Sequence, residues 1–332
     1  MKNFRFYLSL LFLVLLFNQC NRELKVITVT GEIPANSMGK TLSHEHMLVD
    51  FIGADSTGYH RWNRDTVVKK VLPYLMKVKA AGIKTIVDCT PAYLGRDPKL
   101  LKVLSEKSGI NILSNTGYYG AFNNKYLPHY AFTETAEQLA DRWIDEAIHG
   151  IEDTGIKPGF IKIAVEANVS LSAIHKKLVQ AAIITNKRTG LVIASHTVGS
   201  KPAFEEMALI SESGISLQSF IWVHSPTADV KDQIKAAEQG AWISIDNVNP
   251  DSANLAFITD RLKAIKSAGY LNHVLLSHDA GWYDPSKAGG GNIRGYTALT
   301  DSLFPILLKN GFTNEELDLL LVTNPAHAFG IK

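Results

Sequence analysis

The stretch Ser43-His44-Glu45-His46 lies inside the run TLSHEHMLV (41–49). In an extended chain successive side chains alternate between faces, so the two imidazoles at i and i+2 share one side and Glu45 points the other way. Such a pair suits a divalent metal, although one strand also holds hydrogen-bonded histidines for other reasons. Further candidates recur near the ends of other β-rich runs: Lys162 in GFIKIAVE (159–166), His196 in LVIASHT (191–197), His224 in FIWVHS (220–225) and Asp279 in HVLLSHDA (273–280). Residues from so many strands meet only if the sheet closes on one axis, and two metals then fit among them. Imidazole and carboxylate favour Zn²⁺, with Mn²⁺, Fe²⁺ and Co²⁺ less suited. Lys162 needs its own account, because an ammonium repels cations. Desolvated beside metals, it loses its proton and adds carbon dioxide, becoming an anionic carbamate with two oxygen ligands.

The elements that must position these residues follow a regular rhythm. Three more β-rich runs, TIVDCT (85–90), NILSNTGYY (111–119) and AWISIDNV (241–248), bring the total to eight. Helical-period segments separate them, several closing on Gly82, Gly109, Gly190 or Gly214 as stops. Strand-helix alternation predicts parallel strands with right-handed crossovers. Eight such units predict a single α/β domain, a (β/α)8 TIM barrel, better than a doubly wound sheet, and no GxGxxG or P-loop pattern follows the first strand. On a barrel the candidates fall in the strand halves facing the catalytic mouth. The barrel is assigned to 41–332, a lead-in segment to 20–40 and a signal peptide of lipoprotein type to 1–19.

Lys2 and Arg5 precede the apolar stretch from Phe6 to Phe17, then Asn18, Gln19 and Cys20. A helix of that stretch spans only about 18 Å, against a hydrocarbon core of roughly 30 Å, so it reads as an export signal rather than a membrane span. Cys20 stands where a bacterial lipoprotein carries its lipid, though Gln19 replaces the small residue expected before it. The expectation is an exported, periplasmic or cell-envelope protein, anchored to a membrane if Cys20 is lipidated. Cys89, the other cysteine, reads as a buried strand thiol with no disulfide partner. Of 332 residues, 46% are apolar and 20% charged, which excludes disorder, collagen and coiled coil. The 34 Lys+Arg against 32 Asp+Glu, with no basic stripe, argue against a nucleic-acid partner.

Taken together, these motifs resemble the phosphotriesterase family of the amidohydrolase superfamily over residues 26–331. TLSHEHMLVD is similar to the family's first strand, TIVDCTPAYLGRD to its second, GFIKIAVE to the strand of the bridging lysine, ASHT and WVHS to the single-histidine strands, LLSHDAGW to the aspartate strand and LLVTNPAHAFG to the terminal helix. The resemblance implies that His44, His46 and Asp279 hold the more buried of two metals and His196 and His224 the more exposed. Carbamylated Lys162 and a hydroxide would bridge them. The reaction implied is hydrolysis of a small ester, lactone or phosphoester: two cations lower the pKa of a bridging water, the exposed one polarises P=O or C=O, and the hydroxide attacks. Asp279, besides being a ligand, is the best-placed acceptor for the hydroxide proton.

Three residues are candidates for the substrate pocket. Tyr119 matches a tyrosine lying over the metals in lactone-hydrolysing relatives, and a pocket wall and plain packing both account for it. Trp282 stands on a long segment, AGWYDPSKAGGGNIRGY, that reads as a mobile loop overhanging the mouth; the indole closes over a substrate or anchors the loop. Asn247 occupies the position held by histidine in phosphotriester-hydrolysing relatives and by arginine in lactonases, so paraoxonase-like activity is not expected. His278, facing away from Asp279, reads as a supporting residue, and Trp222 as inward-facing barrel core. Competing functions are a TIM-barrel metallonuclease, which would favour a basic mouth, and a non-catalytic lipoprotein binding a small ligand on a relic site. A homodimer stays open.

Overall fold

Short apolar strands flanked by amphipathic helices bury both faces when the sheet closes inside a ring of helices. The computed structural model describes residues 23–332; the stretch Phe6 to Phe17, the cleavage region and Cys20 lie outside them. An antiparallel hairpin, β1 (Lys25–Thr28) and β2 (Gly31–Pro34), comes first. The barrel strands are β3 (Thr41–Leu48), β4 (Thr85–Asp88), β5 (Asn111–Leu113) continued by β6 (Asn115–Thr116), β7 (Phe160–Ala164), β8 (Ile193–His196), β9 (Phe220–Val223), β10 (Trp242–Ile245) and β11 (Val274–Leu276). All eight runs marked in the sequence become strands, paired in parallel in chain order. At the seam between β11 and β3, the Asp279 N–H donates to the His44 carbonyl (3.1 Å) and the Ser43 hydroxyl to the Leu276 carbonyl (3.1 Å). The architecture is the expected (β/α)8 barrel. Its helices are α1 (Arg64–Ala80), α2 (Pro98–Ser108), the short α3 (Tyr130–Thr133), α4 (Ala136–His149), α5 (Ala173–Thr189), α6 (Ser200–Glu212), α7 (Val230–Glu238) and α8 (Ser252–Ser267), with further short helices completing the chain.

Val87, Leu113, Phe160, Ala194, Ile221, Val223 and Leu275 form the barrel interior with Val26, Met38 and Phe329. Phe160 opens β7 and its ring meets Phe329 at 5.6 Å, so the hairpin region and the last helix plug the end where the strands begin. The other end is left for chemistry.

Trp222 corrects one expectation. It belongs to the layer between strands and helices, its ring 6.1 Å from Phe204 of α6 and its indole N–H donating to the Thr197 carbonyl. Ile221 and Val223 take the interior, and His224 reaches the site only because its backbone turns left-handed, with φ 63°. That turn breaks the alternation from which Trp222 and His224 would share a face. The segment after β11 is also more ordered than its glycines suggest. Asp279 (φ 50°) and Trp282 (φ 69°) carry the chain through β12 (Gly281–Tyr283), which pairs in parallel with β3, and Gly281 and Arg294 exchange backbone hydrogen bonds of 3.1 and 3.0 Å. A side chain at Gly281 would overlap the His46 carbonyl oxygen.

Candidate metal centre

β3 aims His44 and His46 the same way, and their Nε2 atoms stand 3.2 Å apart. Asp279, turned inward past the end of β11, places Oδ1 3.1 Å from His46 Nε2 and 3.8 Å from His44 Nε2. His196 ends β8 and His224 follows β9; their ring centres are 4.3 Å apart, and that of His44 is 5.2 Å from His224. Lys162 of β7 is 1% exposed, and its Nζ reaches the Ile163 carbonyl at 3.3 Å. All six residues line one cavity of about 130 Å³, joined by Cys89 and, toward the mouth, by Val49, Phe51, Leu94, Tyr119, Phe122 and Trp282. The Tyr119 hydroxyl lies 3.0 and 3.1 Å from the two ring nitrogens of His196. Asn247 is exposed and does not line this cavity, whereas its neighbour Asp246 is fully buried behind it. A larger cavity, about 400 Å³, lies apart from the cluster, between α4 and the loops that precede α1 and α2.

The pattern that defines the phosphotriesterase family matches residues 24–329. The chain belongs to that family. It is 29% identical to a phosphotriesterase homology protein of Escherichia coli, over 88% of this chain and 98% of that one. It is 28% identical to an aryldialkylphosphatase of Saccharolobus solfataricus (90% and 96% covered) and 26% identical to an N-acetyltaurine hydrolase of Rattus norvegicus (91% and 96%). Among solved structures, a double mutant of organophosphorus hydrolase from Deinococcus radiodurans superposes with a TM-score of 0.83 at 25% identity, covering 92% of this chain and 97% of that one.

In this phosphotriesterase-family barrel the donor atoms fit divalent ions. Ligand atoms bound at about 2.0–2.2 Å to one ion stand roughly 3–3.6 Å from one another; two of the His44, His46 and Asp279 distances, 3.1 and 3.2 Å, fall inside that range and the third, 3.8 Å, lies just beyond it. Hydrogen bonds behind the rings set their tautomers. Thr90 spends its hydroxyl proton on the Leu48 carbonyl (3.0 Å), so at 2.7 Å it accepts from His46 Nδ1. That leaves the His46 Nε2 lone pair facing the cavity. Asp246 does the same for two rings at once. Its Oδ2 receives His44 Nδ1 (3.1 Å), the His224 backbone N–H (3.0 Å) and the Ser244 hydroxyl (2.9 Å), while Oδ1 receives His224 Nδ1 (2.9 Å). His44, His224 and Asp246 are themselves near enough to surround a cation, but the backbone and hydroxyl donors already occupy the Asp246 carboxylate, which serves as the hydrogen-bond acceptor behind the two rings.

Electrostatics follow from burial. Burial, reinforced by His224 and Lys162, holds His196 well below the usual histidine range, and burial also lowers His44 against the pull of Asp246. Burial opposes a charge on His224 too, yet the Asp246 carboxylate outweighs it and raises that ring. Burial would raise Asp279, but the surrounding histidines win and hold its carboxyl low. Lys162 is pushed down by burial toward its neutral amine, and burial pushes the Tyr119 phenol up.

Three supporting residues carry no motif of their own. Asp246, the residue after β10, is signalled by the inward period of Trp242 and Ser244 that it continues, with Asn247 falling on the other face. Thr90 has only its place at the end of a strand run. Glu206 of α6 has no sequence signal: wholly buried, it accepts from the Ser195 and Thr197 hydroxyls at 2.5 and 2.6 Å, the two residues that flank His196, and burial raises it to about 7.

Proposed function

We propose that this protein is a binuclear metal-dependent hydrolase, with Zn²⁺ the best match to its donors, acting on an uncharged small ester, lactone or phosphoester. The observation that carries the reading is the convergence of His44, His46, Lys162, His196, His224 and Asp279 on one cavity. When bound, such ions acidify a water and polarise a C=O or P=O group. The residues supply the rest. Asp246 and Thr90 hold imidazole protons away from the cavity, so the facing nitrogens stay free to coordinate. Lys162, desolvated toward its amine form, would as a carbamate supply two anionic oxygens to hold the ions. Asp279, part-exposed at the edge of the cluster, is the carboxylate placed to accept the proton that the attacking water must lose. Tyr119, kept as a phenol, offers an O–H donor beside His196, and Phe51, Phe122 and Trp282 give the mouth an apolar lining.

Among the described residues the lining holds no lysine or arginine other than Lys162, so no side chain there pairs with a fixed anion held away from the bound ions. Arg294, whose guanidinium lies over the Trp282 ring, donates to the Asp279 and His278 carbonyls instead. Export with lipid attachment at Cys20 is proposed on Lys2, Arg5, Phe6 to Phe17 and Cys20 alone. The test of the function is a panel of lactones, carboxylic esters, phosphotriesters and phosphomonoesters, with N-acetyltaurine as an anionic amide, given to metal-loaded and chelated protein. Metal-dependent turnover confined to the uncharged members is expected, with lactones and carboxylic esters ahead of phosphotriesters. Turnover unaffected by chelation, or only of the anions, refutes the reading.

A further inference from the structure

Asp279 is not placed by the β-ladder, which ends at Leu276. Its backbone lies in the left-handed region, which a non-glycine residue adopts only where neighbours enforce it. What enforces it is on the neighbouring strand. Glu45, between His44 and His46 but on the opposite face of β3, is wholly buried and receives four hydrogen bonds from the chain around Asp279. Its Oε1 accepts from the Ser277 hydroxyl (2.7 Å), the His278 backbone N–H (3.0 Å) and His278 Nδ1 (2.6 Å), and its Oε2 accepts from the Ala280 backbone N–H (2.8 Å). The other ring nitrogen of His278, Nε2, accepts from the Leu299 N–H (3.0 Å), so its proton stands on Nδ1 and points at Glu45.

One carboxylate therefore grips the residues on both sides of Asp279 and leaves Asp279 itself to project the other way. We propose that Glu45, steadied by His278, is a positioning residue for Asp279: it holds the 277–280 turn in the one conformation that brings Oδ1 to within 3.1 Å of His46 Nε2. The same residue that separates the paired histidines on β3 thus sets the reach of their carboxylate partner from the far side of the barrel seam. A glutamine at 45 keeps the size but turns an amide N–H₂ toward N–H donors on one side of the turn, so the grip fails there without leaving a cavity. The proposal rests on the metal-centre reading above.

The test is a cycle in metal affinity, read by competition with a coloured chelator, on Glu45→Gln, Asp279→Asn and the double variant. Glu45→Gln is expected to keep the wild-type circular dichroism and to lose roughly tenfold to a hundredfold in affinity for one ion, as loss of a partner behind a ligand does. The double variant is expected to bind no more weakly than Asp279→Asn alone, within about twofold, because Glu45 acts only through Asp279. Losses that multiply instead overturn the proposal. A second readout needs no metal: the wild type and Asp279→Asn are expected to show a downfield His278 ring N–H resonance that moves upfield in Glu45→Gln, whose amide oxygen keeps the three-donor Oε1 position but accepts more weakly than a carboxylate, and an unmoved resonance in Glu45→Gln overturns the clamp. Should Glu45→Gln not fold, His278→Ala removes one of the four donors, and the same non-additivity with Asp279→Asn decides. A wild type that takes up no metal refutes the proposed function, whereas metal uptake with multiplying losses refutes the clamp alone.

Discussion

Replacing Asp246 by asparagine tests how the two halves of the metal centre are tied together. The side chain keeps its shape but can offer only one acceptor oxygen. Oδ2 now receives three donors and Oδ1 one, so the amide oxygen settles at the Oδ2 position and the amide nitrogen faces His224 Nδ1. His224 must then present a lone pair at Nδ1 and carry its proton on Nε2, toward the cavity, where it cannot coordinate. His44 keeps its acceptor. The ion that depends on His196 and His224 is expected to bind about tenfold to a hundredfold more weakly, roughly 1.4 to 2.7 kcal/mol, with the ion at His44, His46 and Asp279 changed by no more than a few-fold. Competition with a chelator over two equivalents of Zn²⁺ separates the two affinities, and hydrolysis should recover in part at excess metal. Asp246→Ala, by contrast, strips the acceptor from four donors around a wholly buried carboxylate and should lower stability by at least about 3 kcal/mol in urea unfolding. If Asp246→Asn weakens both ions equally, or neither, the tautomer argument is wrong.

Other outcomes follow from the same geometry. Lys162→Ala should lose metal and nearly all hydrolysis, with acetate or propionate restoring part of both. Lys162→Glu should retain some metal, whereas Lys162→Arg should not, because guanidinium stays cationic; an Arg variant as active as wild type would reduce Lys162 to a positive charge. Glu206 titrates at about 7 in the fold against 4.5 as its ordinary value, because burial penalises its charge. A carboxyl raised in this way favours the fold fully below pH 4.5, and that contribution fades as pH climbs through 7, by about 3 kcal/mol. Urea unfolding of wild type and Glu206→Gln across pH 4.5 to 8 should therefore show the variant gaining on wild type by about that amount, and a constant difference would count against the assignment. Cys20→Ser should no longer incorporate labelled fatty acid; a wild type that takes up no label refutes lipid attachment.

The barrel and the six converging side chains are legible in the sequence because the chemistry restricts residue types and the strand period restricts where they point. His44 and His46 need only two-residue alternation, and Lys162, His196, His224 and Asp279 need only their places near strand ends. What escapes is set by backbone turns and by contacts between distant elements. The inward swing of His224 depends on a left-handed residue after β9, and with it the phase of Trp222 reverses. Asp279 is turned by a carboxylate more than two hundred residues earlier in the chain. Glu206 reaches the back of β8 from a helix whose burial pattern resembles that of any other. Asp246 was within reach of strand alternation, and its neighbour Asn247 draws attention only by comparison with relatives.

Lys25 and Ile331 exchange backbone hydrogen bonds of 2.8 Å beside the plug made by Val26, Met38 and Phe329. Both described ends of the chain therefore leave from the floor of the barrel, on the side away from the aromatic mouth. A bead or a carrier domain coupled directly at Lys332 therefore attaches on the side away from that mouth. In a variant of the described residues alone, Lys25 and Ile331 are near enough for the ends to be spliced, and new ends can be opened in a helix-to-strand loop on the same floor.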